Sequence, residues 1–427
     1  MPFKTMKITL HSPRVAALFL VLASCQLAQA ATYYSDPAAG TAQGDGSAKS
    51  PWPKLEAMVK QGKLPQLHGG DTLLLRSGNH GEVKFSGDNA VLVTIAAAPG
   101  QTPQLGRLEI TQGSQWLIKG LTISPAFAPA PYKSNIVTLA EGGPGSDIVL
   151  QDCFIYTAVD SAAWTKDDWM QAYSGVLVGR NGTKMTVRNN YVLNTRFAVA
   201  VCAPDSLCEG NVIANFSGDG LRLLRDNITA QYNVIKNGYV SMADGDQNHD
   251  DLIQVFLFNK GTGTVKGITV IGNILIGQED PNQPFPNSPQ GLGFFDGPLV
   301  DFDIEKNVVV SNTYHGISLY DAVNCKIEGN VVKATSAQKI TPWIMLNTKN
   351  KGGSSGNVVK NNMARAFLLT ADPGVVAENN VPVNEAVFNQ RMQEQAKVIN
   401  DKFGEFHPVA KLSRLGTKKG ESKAPAL

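Results

Sequence analysis

Val187-Arg188-Asn189-Asn190-Tyr191, Cys208-Glu209-Gly210-Asn211-Val212 and Ala230-Gln231-Tyr232-Asn233-Val234 share one pattern. An apolar residue is followed by two others, an asparagine, and a second apolar residue. The pattern returns around Asn273, Asn307, Asn330 and Asn362, so that successive asparagines lie 21, 22, 40, 34, 23 and 32 residues apart. The short intervals fit one rung of a solenoid of parallel strands, and the long ones a rung plus an insertion. An asparagine at a tight bend can bond backbone groups and pair with its counterpart on the next rung, which is a physical reason to repeat it. A β-sandwich with regular turns would not need asparagine at one fixed offset.

A further strand is expected after each asparagine: Phe197–Val201, Gly220–Leu224, Leu252–Phe256, Leu292–Phe295, Gly316–Tyr320 and Trp343–Asn347. Side chains alternate along a strand. With Leu221, Ile253 and Ile317 inward, Arg222, Gln254 and Ser318 face out and stack. Asp219, Asp251 and His315 form a second stack beside them. A one-residue slip would turn the whole set over. Trp164 to Ala172 and Gln278 to Gln290 are expected to be inserted loops, which on one face of a solenoid serve as groove walls.

The chain opens with Lys4, Lys7 and Arg14, an apolar run from Val15 to Ala23, and Ala28-Gln29-Ala30, the pattern of an export signal with cleavage after Ala30. Leu22-Ala23-Ser24-Cys25 is similar to a bacterial lipobox, which would anchor the protein through Cys25. Either reading places it outside the cytoplasm, secreted or periplasmic. After the signal come Thr32-Tyr33-Tyr34-Ser35, a Gly/Ser-rich loop, a short helix with Leu55, Met58 and Val59 on one face, and Gly69-Gly70-Asp71-Thr72-Leu73. This order resembles the opening of secreted right-handed parallel β-helix proteins, in which a helix covers the otherwise exposed first rung. Glu385 to Phe403 is expected to be a C-terminal helix, followed by a disordered tail. The expected division is 1–30 signal, 31–383 β-helix and 384–427 helix and tail.

The chain has 427 residues, 43% hydrophobic and 17% charged, with a net charge of +2. That balance carries no nucleic-acid footprint, and the N-terminal run is too short for a permanent transmembrane helix. Of the cysteines beyond the signal, Cys202 and Cys208 are near enough in sequence to form a disulfide outside the cytoplasm. The alternative is that Cys153, Cys208 and Cys325 are buried thiols.

Asp244, Asp246, Asp250, Asp251 and His249 fall within eight residues and run directly into an apolar strand. So much like charge there implies a metal, acid–base chemistry or solvation. The inferred register puts Asp219, Arg222, Arg225, His249, Asp250, Asp251, Gln254, His315 and Tyr320 on one face. A groove along a solenoid suits a long polymer, and the near-neutral charge and export favour a polysaccharide. Two chemistries fit. In β-elimination, His249 or His315 removes the proton beside a uronate carboxylate, which Arg222, Arg225 or Ca²⁺ neutralises. Asp244, Asp246 and Asp250 would hold that Ca²⁺, while Arg225, Gln254 and Tyr320 bind substrate. In hydrolysis, Asp219, Asp250 and Asp251 would supply an acid and a base.

Architecture, opening and asparagine ladder together resemble the secreted right-handed β-helix superfamily, which includes pectate, alginate and chondroitin lyases. The His249-Asp250-Asp251 patch also resembles the Asp-Pro-His-Asp motif of alginate C5-epimerases, with Asn248 in place of proline. Ser217-Gly218-Asp219-Gly220, Asp250-Asp251 and Tyr314-His315-Gly316-Ile317-Ser318 are similar, in order, to polygalacturonase motifs. That resemblance implies acid–base roles for Asp219, Asp250 and Asp251 and a supporting role for His315. The spacing is longer here, and no Arg-Ile-Lys follows His315. The expectation is an all-β, single-stranded right-handed parallel β-helix of about a dozen rungs, with an N-terminal capping helix and a C-terminal helical extension. It is expected to act as a monomeric lyase on an acidic polysaccharide or oligosaccharide. An inverting hydrolase is the alternative, and an epimerase or a non-catalytic carbohydrate-binding solenoid comes after it.

Overall fold

The computed structural model describes residues 30–240, 249–257, 263–335, 340–349 and 353–404. The expected signal, Cys25, Asp244, Asp246 and the tail beyond residue 404 lie outside them.

Every paired strand lies parallel to its neighbours, in the right-handed β-helix that the repeats imply. The longest ladder runs through thirteen strands, from Thr32–Ser35 to Val376–Glu378. A second carries the groove and a third, of ten strands, forms the opposite side. The repeat begins earlier than the asparagines indicate. Two long strands, Glu82–Ala97 and Arg107–Lys119, build early rungs without them.

The asparagine ladder lies where the repeat puts it. Asn190, Asn211, Asn233, Asn273, Asn307, Asn330 and Asn362 are all fully buried. The carboxamide oxygen of Asn233 accepts from the backbone N–H and side-chain amide of Asn211, both at 3.0 Å. Its Nδ2 donates to Cys208 O and to Asn273 Oδ1. The same exchange repeats along the ladder and ends on Asn380. Each rung thus satisfies the bend of its neighbour, at roughly 1 kcal/mol per bond.

The groove ladder confirms the inward set. Val199, Leu221, Ile253, Leu292, Ile317 and Ile344 stack in register and are buried. Each such side chain stabilises the fold by roughly 1.5–3 kcal/mol relative to exposure.

The capping helix α1, Leu55–Lys60, buries Leu55 and Met58 against the first rungs. Its first N–H, on Leu55, donates to Nδ1 of the buried His80. Trp164 to Ala172 is not a plain loop. Lys166–Gln171 forms helix α2, because Thr165 and Asp168 make a reciprocal capping box. Trp169 anchors it against Tyr239, the rings stacked at 4.1 Å. The C-terminal helix α3 spans Glu385–Phe403, capped by Asn384 and ended by Gly404 at φ 64°. It lies along the outside of the third ladder, with Phe388 on Val308 and Val331 and Ile399 among Val234 and Ile274. Cys153, Cys202, Cys208 and Cys325 are all buried free thiols, so Cys202 and Cys208 do not pair. Cys153, Cys208 and Cys325 belong to the main hydrophobic core. Among the described residues no helix is long and apolar enough to cross a membrane.

Candidate active site

Four consecutive rungs build the site. Arg222, Gln254, Gly293 and Ser318 occupy one register row. Asp251, Gln290 and His315 continue the row beside it, Asp251 pairing with Gln290. The bulge at Gly316 re-aims His315 relative to the strand it leads. A side chain at Gly316 would strike Val332 and the Trp343 carbonyl.

The carboxylates are enclosed, where the sequence reading placed them on an open face. Asp219 is 1% exposed, Asp250 2% and Asp251 0%. Neighbours on the same face enclose them: Arg222 binds Asp219, and Asp251 lies against Gly293 and His249. Asp219 binds the guanidinium of Arg222 through one oxygen and accepts the Asp251 backbone N–H through the other, at 2.8 Å. Asp250 accepts from the side-chain amide of Asn287, in the Gln278–Gln290 insertion. Burial raises the Asp219 carboxyl, and Arg222 opposes that rise.

His249 remains partly open, its side chain 31% exposed. Its Nδ1 stands 2.9 Å from Asp251 Oδ2. That bond raises the imidazole pKa above 6.5. Burial likewise pushes the Asp251 carboxyl well above the carboxylate range, against the His249 hydrogen bond. As a unit the pair holds its proton more firmly than either group would alone. Asp251 Oδ1, Gln254 Oε1 and Gln290 Oε1 are buried acceptors without a partner among the described residues. Three such atoms in one place mark a site shaped by something other than stability.

Phe295 organises the aromatic part. Its ring meets His249 at 5.3 Å, His315 at 5.0 Å and Tyr320 at 5.1 Å, each edge to face. His315 Nδ1 lies 2.9 Å from Ser318 Oγ. Burial lowers the His315 pKa, and the charge of His249 lowers it further. Arg222 lies 3.8 Å from the Phe197 ring centroid, on the preceding rung. Gln254 is buried under His249, its amide 3.5 Å from the ring. Arg225 sits in the turn beyond Leu221–Leu223, where it and Arg222 act on Cys202.

The fold thus brings together Asp219, Arg222, His249, Asp250, Asp251, Gln254, His315 and Tyr320, and Arg225 follows in the turn after the Arg222 strand. Sequence reasoning missed Gln290, Gly293, Phe295 and Asn287. Gly293 had a signal: it is the glycine in a row otherwise held by Arg222, Gln254 and Ser318. A Cβ there would lie 2.0 Å from Asp251 Oδ1. Of the expected calcium ligands only Asp250 is described, and Asn287 already engages one of its oxygens. No group of three His, Cys, Asp or Glu side chains converges for a metal among the described residues.

No protein-family model and no curated relative matches the chain. Solved structures do. It is similar to a glycoside hydrolase, at 10% identity over 85% of this chain and 98% of the other, with a TM-score of 0.51. It is similar to the A-module of a mannuronan C-5 epimerase of Azotobacter vinelandii, at 13% identity over 77% and 94%, TM-score 0.47. It is also similar to a mannuronic acid specific polysaccharide family 6 lyase from human gut microbiota, at 12% identity over 86% and 95%, TM-score 0.44. At these identities the likeness establishes the β-helix fold alone.

Proposed function

We propose that the chain is an exported, monomeric polysaccharide lyase that cleaves a uronate-containing polymer by β-elimination. The observation that carries this reading is the His249–Asp251 pair, an open imidazole held by an enclosed carboxylate one rung from Arg222. Nδ1–H is engaged by Asp251, which leaves Nε2 to face the groove as the base. Nε2 takes the proton from the carbon beside the uronate carboxylate. The released pair forms the carbon–carbon double bond, and the bond to the glycosidic oxygen breaks. The imidazolium then returns its proton to that oxygen. Arg222, fixed by Asp219 and Phe197, offsets the charge that builds on the carboxylate. His315 and Tyr320 line the groove across Phe295.

An inverting hydrolase would need carboxyl groups that reach the glycosidic oxygen and a water. The enclosure of Asp219, Asp250 and Asp251 weighs against it. Calcium held by Asp244, Asp246 and Asp250 stays part of the proposal as a further source of positive charge at the substrate carboxylate.

The test offers the purified protein pectate, alginate and glycosaminoglycans, with Ca²⁺ or with chelator. It follows both the ultraviolet absorbance of an unsaturated uronate and new reducing ends. Absorbance that vanishes in His249→Ala is the expected result. Reducing ends without absorbance would replace elimination by hydrolysis. A changed uronate stereochemistry in nuclear magnetic resonance spectra, without cleavage, would replace it by epimerisation.

A further inference from the structure

On the rung of His315, Tyr314 stands 52% exposed, the most solvent-open aromatic ring among the large hydrophobics of the described chain. It is not a loose side chain. Its ring stacks on Trp343 at 5.0 Å with planes 20° apart. Its carbonyl accepts the backbone N–H of Trp343 at 2.8 Å and of Gly316 at 3.1 Å. Trp343 is fixed in turn by His315, whose ring meets it edge-on at 5.4 Å. The indole Nε1 is buried without a partner among the described residues. A chain of touching rings therefore runs from His249 through Phe295 and His315 to Trp343, and Tyr314, on the His315 rung, stacks on Trp343.

We infer that Tyr314, backed by Trp343, is a sugar-stacking subsite that binds a pyranose ring of the polymer on the C-terminal side of the reacting bond. This deepens the polysaccharide reading of the groove and rests on it. A pyranose presents a face of C–H groups, and a flat, rigid aromatic face binds it without ordering a flexible side chain. Tyr314 offers one such face to solvent, and its other face is already held by the indole. The chemistry of the two ends of the groove then differs. Arg222 meets carboxylate upstream, and Tyr314 meets the uncharged sugar face downstream. Tyr314 adjoins His315, whose rung lies two steps from that of His249 and Asp251, roughly 10 Å along the axis. A disaccharide straddling the reacting bond does not extend that far; a tetrasaccharide does.

The experiment uses the full chain and the same panel of pectate, alginate and glycosaminoglycans. Binding is read by affinity electrophoresis and by quenching of tryptophan fluorescence, first in the inactive His249→Ala background. Tyr314→Ala is expected to weaken binding about tenfold, which corresponds to about 1.4 kcal/mol, and Tyr314→Phe to preserve it. In the active enzyme, Tyr314→Ala raises KM for the long polymer with little change in kcat and leaves a disaccharide substrate unaffected. Thermal unfolding of Tyr314→Ala, unchanged from wild type, keeps the comparison free of misfolding. Tyr314-dependent binding without any turnover would uphold the subsite while sinking the elimination reading. Wild-type affinity in Tyr314→Ala, or no binding of any of these polymers by the wild type, would overturn the subsite.

Discussion

Asp251, wholly enclosed, accepts a 2.9 Å hydrogen bond from a histidine that is still open to solvent, His249. The interaction fixes the ring and raises its pKa above 6.5. A base must be neutral to act, so the acid limb of kcat/KM is expected above pH 6.5. Asp251→Asn removes the cause of the rise, and the limb moves to lower pH. The same change costs about a hundredfold or more in kcat, because the tautomer that presents Nε2 is no longer enforced. A pH–rate profile of both proteins checks this. An unmoved limb would show that His249 is not the group being titrated.

Gly293→Ala is expected to abolish most activity without unfolding the protein. The added methyl carbon would lie 2.0 Å from Asp251 Oδ1 and 2.9 Å from Gln290 Oε1. Asp251 must move, and a displacement near 1 Å at such a site costs about a hundredfold in rate. Circular dichroism and thermal unfolding should stay close to wild type. Full activity would mean that the position of Asp251 is not critical.

His80 makes a pH prediction for stability. It is fully buried, accepts the Leu55 N–H at Nδ1, and bonds the Arg76 carbonyl through Nε2. Burial lowers its pKa from 6.5 to about 4. The unfolded chain therefore binds this proton more readily than the folded one. The stability it contributes is complete above pH 6.5 and is lost as the pH falls towards 4, by about 3 kcal/mol in all. Denaturant titrations across that range measure the slope, and His80→Gln should flatten it. An equal slope in the variant would remove His80 as its source.

Asn233→Ala tests the ladder. The substitution removes the acceptor of the Asn211 backbone N–H, one acceptor of its side-chain amide and the donor to the Cys208 carbonyl, all enclosed, while Asn273 Oδ1 keeps the backbone N–H of residue 233. A loss of about 3 kcal/mol is expected, read as a lower denaturation midpoint. A loss below about 1 kcal/mol would mean that neighbouring rungs re-form these bonds.

The asparagines disclosed the fold because their chemistry repeats: each serves the next rung, so each must sit at the same bend. The inward register of Leu221, Ile253 and Ile317 followed from alternation, and helix α3 followed from the spacing of Phe388, Met392 and Ile399. The site was less legible. Strand register placed Asp219 and Asp251 on the groove face, and register alone does not show which neighbours cover them. Arg222 and His249 bond to them and enclose them on that face. Phe295 and Gln290 carry no local signal; their importance comes from what three separate rungs place around them. Helix α2 was missed because a six-residue segment shows too little periodicity, although Thr165 and Asp168 spelled its cap.

A stack of rungs couples each layer to its neighbours alone, so by itself it can fray from either end. Helix α3 alters that rule. Phe388 rests at the Val331 rung and Phe403 beside Gly210, so one rigid rod touches layers far apart in the stack. Lys333 to Glu385 and Lys402 over Tyr232 secure its two ends. The rungs that carry Arg222, His249 and His315 lie within the span of this splint. They should open together or not at all, and the groove keeps a fixed spacing along its length.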